Sequence, residues 1–115
     1  MDTQERMRAL SVRQPYAEQI IRGKKRIEYR SLPTKIRGRV YIYASLTPGD
    51  PEDFRAMRAQ PGEFPTGVLV GTVEVVDCTG EPGDYRWRLA RPERLAQPLR
   101  PENHPQPVWF YPFKV

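Results

Sequence analysis

The sequence predicts a small, mostly β fold of the α+β class: a partly closed barrel of about six short strands, with one or two helices over its openings. Three observations lead there. Runs of period-two alternation recur along the chain, 13 prolines and 8 glycines cut its 115 residues into short elements, and only two stretches carry helix-start signals. The length fits a single domain over residues 1–115.

Ala9–Val12 reads as a short buried strand ahead of the turn-forming Arg13, Gln14 and Pro15. A helix is predicted over 15–22, where Pro15 suits the first turn, Tyr16, Ala17, Ile20 and Ile21 share a face, and Gly23 ends it; Gln14 is a poor cap. From Arg26 to Arg30 the period becomes two, with Ile27 and Tyr29 on one face and Arg26, Glu28 and Arg30 on the other. Pro33 and Gly38 mark 31–38 as loop. Arg39 to Ala44 alternates again: Val40, Ile42 and Ala44 point inward, Arg39, Tyr41 and Tyr43 point outward or toward a cleft, and Ser45 continues the tyrosine parity.

Asp50, Pro51, Glu52 and Asp53 form a second helix start, with Phe54 and Met57 as its buried stripe. Val68 to Val76 is a β-branched run expected at the centre of the sheet, with Gly71 marking a bulge or a close approach. Tyr85, Trp87 and Leu89 alternate with Arg86 and Arg88 in another strand. The stretch ARPERLAQPLRP reads as proline-punctuated coil, and Val108–Val115 as a terminal edge strand interrupted by Pro112.

Nineteen Lys and Arg against 14 Asp and Glu leave a net charge of +5, unevenly placed. Between residues 22 and 39 stand Arg22, Lys24, Lys25, Arg26, Arg30, Lys35, Arg37 and Arg39, with Glu28 as the only acid. A field this localised concentrates polyanions, and counterion release makes nucleic acid the expected partner. Cys78 is the only cysteine, so no internal disulfide forms; with His104 it cannot make a zinc site, and no metal or other cofactor is expected. A reducing, cytoplasmic setting follows as the expectation. No run of 18 apolar residues suggests a membrane span, and a monomer is expected.

The segment GKKRIEYR, Gly23 to Arg30, fits the pattern G-x-K-x-x-E-x-R. Together with LSVRQPYA (10–17), Arg30-Ser31, RGRVYIYAS (37–45) and FPTGVLVGTVEVVDC (64–78), it resembles the ASCH domain family, named for activating signal cointegrator homology. The resemblance implies a PUA-like β-barrel with a cleft beside the first helix. It designates Gly23, Lys25, Glu28 and Arg30, and implies that this cleft faces single-stranded or partly opened nucleic acid.

A carboxylate among cations adds nothing to phosphate affinity. Glu28 must therefore hold cations in place or accept hydrogen bonds from an uncharged donor such as a base amino group. A binding module would take phosphates on Arg22, Lys24, Arg26, Lys35, Arg37 and Arg39, and one base in a cleft lined by Gln14, Lys25, Glu28, Arg30 and Ser45. Tyr16 would stack on a base or anchor the helix. His104 reads as a solvated imidazole.

Branches of the family also imply an enzyme, a ribonuclease or an amidohydrolase acting on acylated cytidine, with Lys25 as general base and Glu28 positioning it. The amidohydrolase branch carries Thr where this chain has Glu28, and only Glu74 offers a rough match for its further carboxylate. A protein-interaction adaptor is the third reading.

Overall fold

The computed structural model describes residues 7–114. In chain order the elements are β1 (Ala9–Val12), α1 (Tyr16–Ile21), β2 (Ile27–Arg30), β3 (Gly38–Ala44), α2 (Pro51–Arg55), β4 (Val68–Glu81), β5 (Asp84–Leu99) and β6 (Trp109–Phe110). The six strands form one sheet in the order β2-β5-β4-β3-β1-β6. Only β1 and β3 run parallel; the other neighbours are antiparallel.

Mostly strand with two short helices, the architecture is the expected α+β one, but the sheet stays open, with β2 and β6 at its two edges. Strand β6 is too short to close it. Of the predicted Val108–Val115 strand, only Trp109 and Phe110 pair, and Val115 lies outside the described residues. Beyond Phe110 the chain turns away, and the Pro112 carbonyl accepts the N–H groups of Glu102 (2.8 Å) and Asn103 (3.0 Å) instead of a ladder partner.

The spine of the sheet is the β4–β5 hairpin, turned by Pro82-Gly83. Gly83 has φ +88, the left-handed value that the third position of a type II turn needs after proline. The stretch ARPERLAQPLRP, expected as coil, is largely strand: β5 continues to Leu99. Its prolines survive because the ladder slips. Register shifts fall between Leu69 and Gly71 and between Thr72 and Glu74, leaving Arg91, Pro92 and Pro98 outside the paired positions, with Arg91 at φ 52. A bulged strand tolerates residues that cannot donate to the ladder.

Helix α1 lies on the sheet with Ala17, Ile20 and Ile21 buried among Leu10, Val12, Ile42, Val73 and Leu89. It can sit this low because Gly71 has no side chain. A Cβ there would come within 2.5 Å of Ile21 Cδ1 and closer still to the Glu93 carbonyl oxygen. The opposite face buries a second cluster of Ala9, Tyr43, Leu69 and Phe110, in which Tyr43 meets Phe110 edge to face at 5.3 Å.

Gln14, a poor cap by type, does cap α1: its Oε1 accepts the Glu18 N–H at 3.0 Å, the longer side chain reaching from one position further out. At the second helix, Asp50 accepts the Glu52 N–H at 2.9 Å and Phe54 is buried against Phe64.

One ionic cluster ties α1 to the bulged part of β5. Glu18, only 4% exposed, receives Arg22 Nε at 2.6 Å and both Nη1 and Nη2 of Arg94, at 3.1 and 2.7 Å. Burial pushes the Glu18 carboxyl up, but hydrogen bonds from Arg94 and Arg22 outweigh it and hold the group below its ordinary value.

Two outcomes follow from this packing. Gly71→Ala should lower the unfolding free energy by about 1–3 kcal/mol, through overpacking, in a denaturant titration. Glu18 binds its proton less readily folded than unfolded, so its contribution is complete above the ordinary value of 4.5 and is lost as pH falls through the lower folded value. Thermal melts from pH 7 to pH 3 should therefore show a steeper acid loss in the wild type than in Glu18→Gln. The variant should cost about 1–2 kcal/mol at pH 7, the low side of a charged hydrogen-bond loss because both guanidiniums are roughly half in water.

Candidate functional site

Strand β2 runs along the first half of β5, where Glu28 stands opposite Trp87 and Arg30 opposite Tyr85. Period two turns Glu28 and Arg30 to the inner face. Arg30 donates to Glu28 Oε2 from both Nε (2.8 Å) and Nη2 (2.6 Å), and Nη2 also reaches the Ser11 carbonyl at 2.9 Å. Its guanidinium lies 5.5 Å from the Trp87 ring, which stacks on Trp109 at 5.7 Å with the planes 6° apart. Trp87 itself is fixed by its indole N–H, donated to the Leu32 carbonyl at 3.0 Å. The pair is thus braced from behind by aromatic packing.

Lys25 precedes β2, on the turn whose Lys24 and Lys25 N–H groups both bond the Gln19 carbonyl, at 2.9 and 3.1 Å. From there its ammonium reaches the site that its strand parity alone would deny it. Nζ lies 3.6 Å from Glu28 Oε1, 5.9 Å from the Tyr16 ring centre and 5.3 Å from that of Tyr29. Lys25, Glu28 and Arg30 therefore converge.

They line a cleft of about 770 Å³. Arg13 and Tyr16 at the start of α1 form one side, Tyr43, Ser45, Leu46 and Thr47 at the end of β3 form the floor, and His104, Pro105, Gln106 and Pro107 form the far wall. That wall is tied down through Ser11, whose hydroxyl donates to the Gln106 carbonyl at 2.8 Å and whose N–H donates to the Val108 carbonyl at 3.0 Å. Among the described residues, Glu28 is the sole carboxylate facing the cleft, against Arg13, Lys25 and Arg30. Tyr16 packs half-buried on Gly49 and donates its hydroxyl to Asp53; that bond, with burial, raises the phenol above its ordinary value.

Of the residues expected at the site, Tyr16, Lys25, Glu28, Arg30 and Ser45 meet in the cleft. Gln14 does not. It is 1% exposed, with Nε2 donated to the Pro65 carbonyl at 2.9 Å and Oε1 engaged by Glu18, so neither end of its amide is free to read a base.

Arg22 is held by Glu18 and lies 5.4 Å from the Phe64 ring. Arg39 donates to Thr72 Oγ1 (2.8 Å) and the Arg91 carbonyl (3.0 Å) and pairs with Glu74 and Glu93. Both arginines are committed to the fold. Lys24, Arg26, Lys35 and Arg37 are exposed and have no acid within ion-pair distance among the described residues. Glu74, the rough match for a second catalytic carboxylate, bonds Arg91 at 2.6 Å and does not line the cleft.

The far wall carried only a loose family likeness in HPQPVWF (104–110), because a proline-rich coil has no periodicity and its partner Ser11 lies 95 residues away. Tyr29 was placed by parity on the face away from Glu28. At the sheet edge its ring nonetheless borders the cleft rim.

The ASCH domain family model matches residues 10–105, from β1 into the start of the cleft's far wall. The chain belongs to the ASCH domain family. Activating signal cointegrator 1 of Homo sapiens is 36% identical over 83 residues, and its Mus musculus counterpart 35% over 83. Each match takes in 63% of this chain but only 14% of the cointegrator, so the likeness concerns one part of a much longer protein. The crystal structure of ASCH from Zymomonas mobilis superposes with a TM-score of 0.65 over 93% of this chain and 87% of that one, at 13% identity. That likeness is one of fold. No helix among the described residues is long and apolar enough to cross a membrane.

Proposed function

We propose that this ASCH domain binds RNA or DNA, holding one nucleotide base in the cleft of Lys25, Glu28 and Arg30 and the adjoining phosphates on the exposed cations Lys24, Arg26, Lys35 and Arg37. The observation that carries this reading is the uneven use of the Glu28 carboxylate. Oε2 is saturated by Arg30, whereas Oε1, among the described residues, meets only the Lys25 ammonium, at 3.6 Å. An acceptor with spare capacity, held rigidly inside a cationic cleft, suits a base amino group such as cytosine N4. The cleft volume falls within the roughly 300–1,000 Å³ of small-ligand sites. Four cations without acid partners supply the sequence-independent attraction that phosphates require.

The same pair supports a second reading, hydrolysis of RNA or of an acylated cytidine. Lys25 Nζ stands 3.6 Å from Glu28 Oε1 inside the cleft, within ion-pair reach of a carboxylate that would position it. Loss of acetylcytidine or single-stranded RNA turnover in Lys25→Ala, with retention in Lys114→Ala, is the outcome expected on that reading. No turnover by the wild type removes it.

For the binding reading, fluorescence anisotropy with labelled single- and double-stranded oligonucleotides should show affinity falling as salt rises. Neutralising Lys24, Lys35 and Arg37 together should flatten the single-strand log–log salt slope by about 2. Glu28→Gln, which turns an acceptor-only group into an amide, should weaken binding about tenfold. Salt-independent affinity, or affinity indifferent to the triple neutralisation, would reject the proposal.

A further inference from the structure

The outer face of β2 and β5, opposite the Glu28–Arg30 pair, presents an aromatic residue flanked by cations. Tyr29 is 59% exposed, leaving an aromatic ring at the surface of the strand. Its cross-strand neighbour is Arg86, and Ile27, two residues back on the same face, stands opposite Arg88. The register carries this face on to β4, where Thr79 neighbours Arg86 and Asp77 neighbours Arg88. Both arginines are exposed, and among the described residues neither has an acid within ion-pair distance. Asp77, the nearest acid by register, has Oδ1 engaged by the Cys78 N–H at 2.8 Å.

Tyr29 is also the residue at which this face meets the cleft, since its ring borders the rim. The Lys25 ammonium 5.3 Å from its centre steadies one side of the ring. More than half of the side chain is open to solvent.

We infer that single-stranded nucleic acid leaving the cleft crosses this face, the first flanking base stacking on Tyr29 and its phosphates lying on Arg86 and Arg88. The inference rests on the cleft reading above and extends its site by residues that the basic segment does not contain. Stacking requires an exposed π-face next to the point where the strand emerges, and Tyr29 provides one. Phosphate contacts require cations not already neutralised. Arg86 and Arg88 stand two residues apart on one face, about 7 Å along the strand, close to the separation of successive phosphates in an extended nucleic-acid chain. A duplex cannot use Tyr29 in this way, because its bases are already stacked on each other; the ligand class is therefore single-stranded.

The test compares pentauridylate and pentathymidylate with the four ribonucleoside monophosphates on the full chain, by anisotropy and by competition. Arg86→Gln with Arg88→Gln should weaken both pentamers about tenfold and flatten the salt slope by about 1.4, while leaving monophosphate binding unchanged. Tyr29→Leu should weaken the pentamers by tenfold or more, and Tyr29→Phe should restore them. A preference between the two pentamers tells RNA from DNA as the source of the strand.

Pentamers that bind the wild type no tighter than monophosphates would overturn the track, as would double-arginine and Tyr29→Leu variants of unchanged pentamer affinity and slope. If Glu28→Gln weakens the pentamers but the outer-face variants do not, the track falls and the cleft reading stands. If only the outer-face variants weaken them, the cleft reading falls and the outer face is supported as a site in its own right.

Discussion

Placing one carboxylate out of water beside two cations is the constraint around which this end of the molecule is built. Glu28 is 7% exposed, and an ionised group so placed costs several kcal/mol of hydration that only close, well-aligned partners offset. Arg30 provides two hydrogen bonds to one oxygen, Trp87 and Trp109 hold the guanidinium from behind, and Lys25 arrives from a turn shaped by Gly23 and the Gln19 carbonyl. Together these neighbours fix the carboxylate in one position. The spacing G-x-K-x-x-E-x-R is the linear trace of that arrangement: a left-handed glycine at φ +77 ends the helix, a lysine follows on the turn, and an acid and an arginine share one face of the strand.

Glu18 solves the same electrostatic problem for a different end. It too is buried and receives two guanidiniums, yet both of its oxygens are taken up by Arg22 and Arg94, and its effect is to bind α1 to β5. Glu28 keeps one oxygen at longer range from its second cation. On the proposed reading, two acids of similar burial divide between cohesion and recognition according to how completely their lone pairs are used, a distinction that net charge alone does not reveal.

Much of the fold was legible because it obeys local rules. The alternation in Arg39–Ala44, the β-branched run at Val68–Val76 and the helix face of Ala17, Ile20 and Ile21 each reflect one period and one buried side. Gly71 was readable as a bulge or a close approach because a strand centre seldom carries a residue without a side chain, and both occur there. What stayed hidden needs information from distant residues. The prolines of β5 argued for coil, and only the slipped register against β4 shows how a strand accommodates them. Gln14 looked like a reader at the cleft mouth because its type permits it, whereas Pro65, 51 positions on, decides that its amide is used internally. Arg22 and Arg39 looked like phosphate ligands for want of knowledge of Arg94's and Arg91's neighbourhood, where Glu18 and Glu74 lie.

The far wall of the cleft has a consequence for how the protein matures. Ser11 in the first strand is joined to Gln106 and Val108 near the opposite end of the sequence, so the enclosure spans almost the whole described chain. Loop closure over such a separation is entropically costly and tends to come late in assembly. On the ribosome, a nascent chain could already have formed the central hairpin and seated its first helix while the recess still lacked a side. On the proposed reading, a base meets a complete recess only once residues 104–108 have docked beside β1.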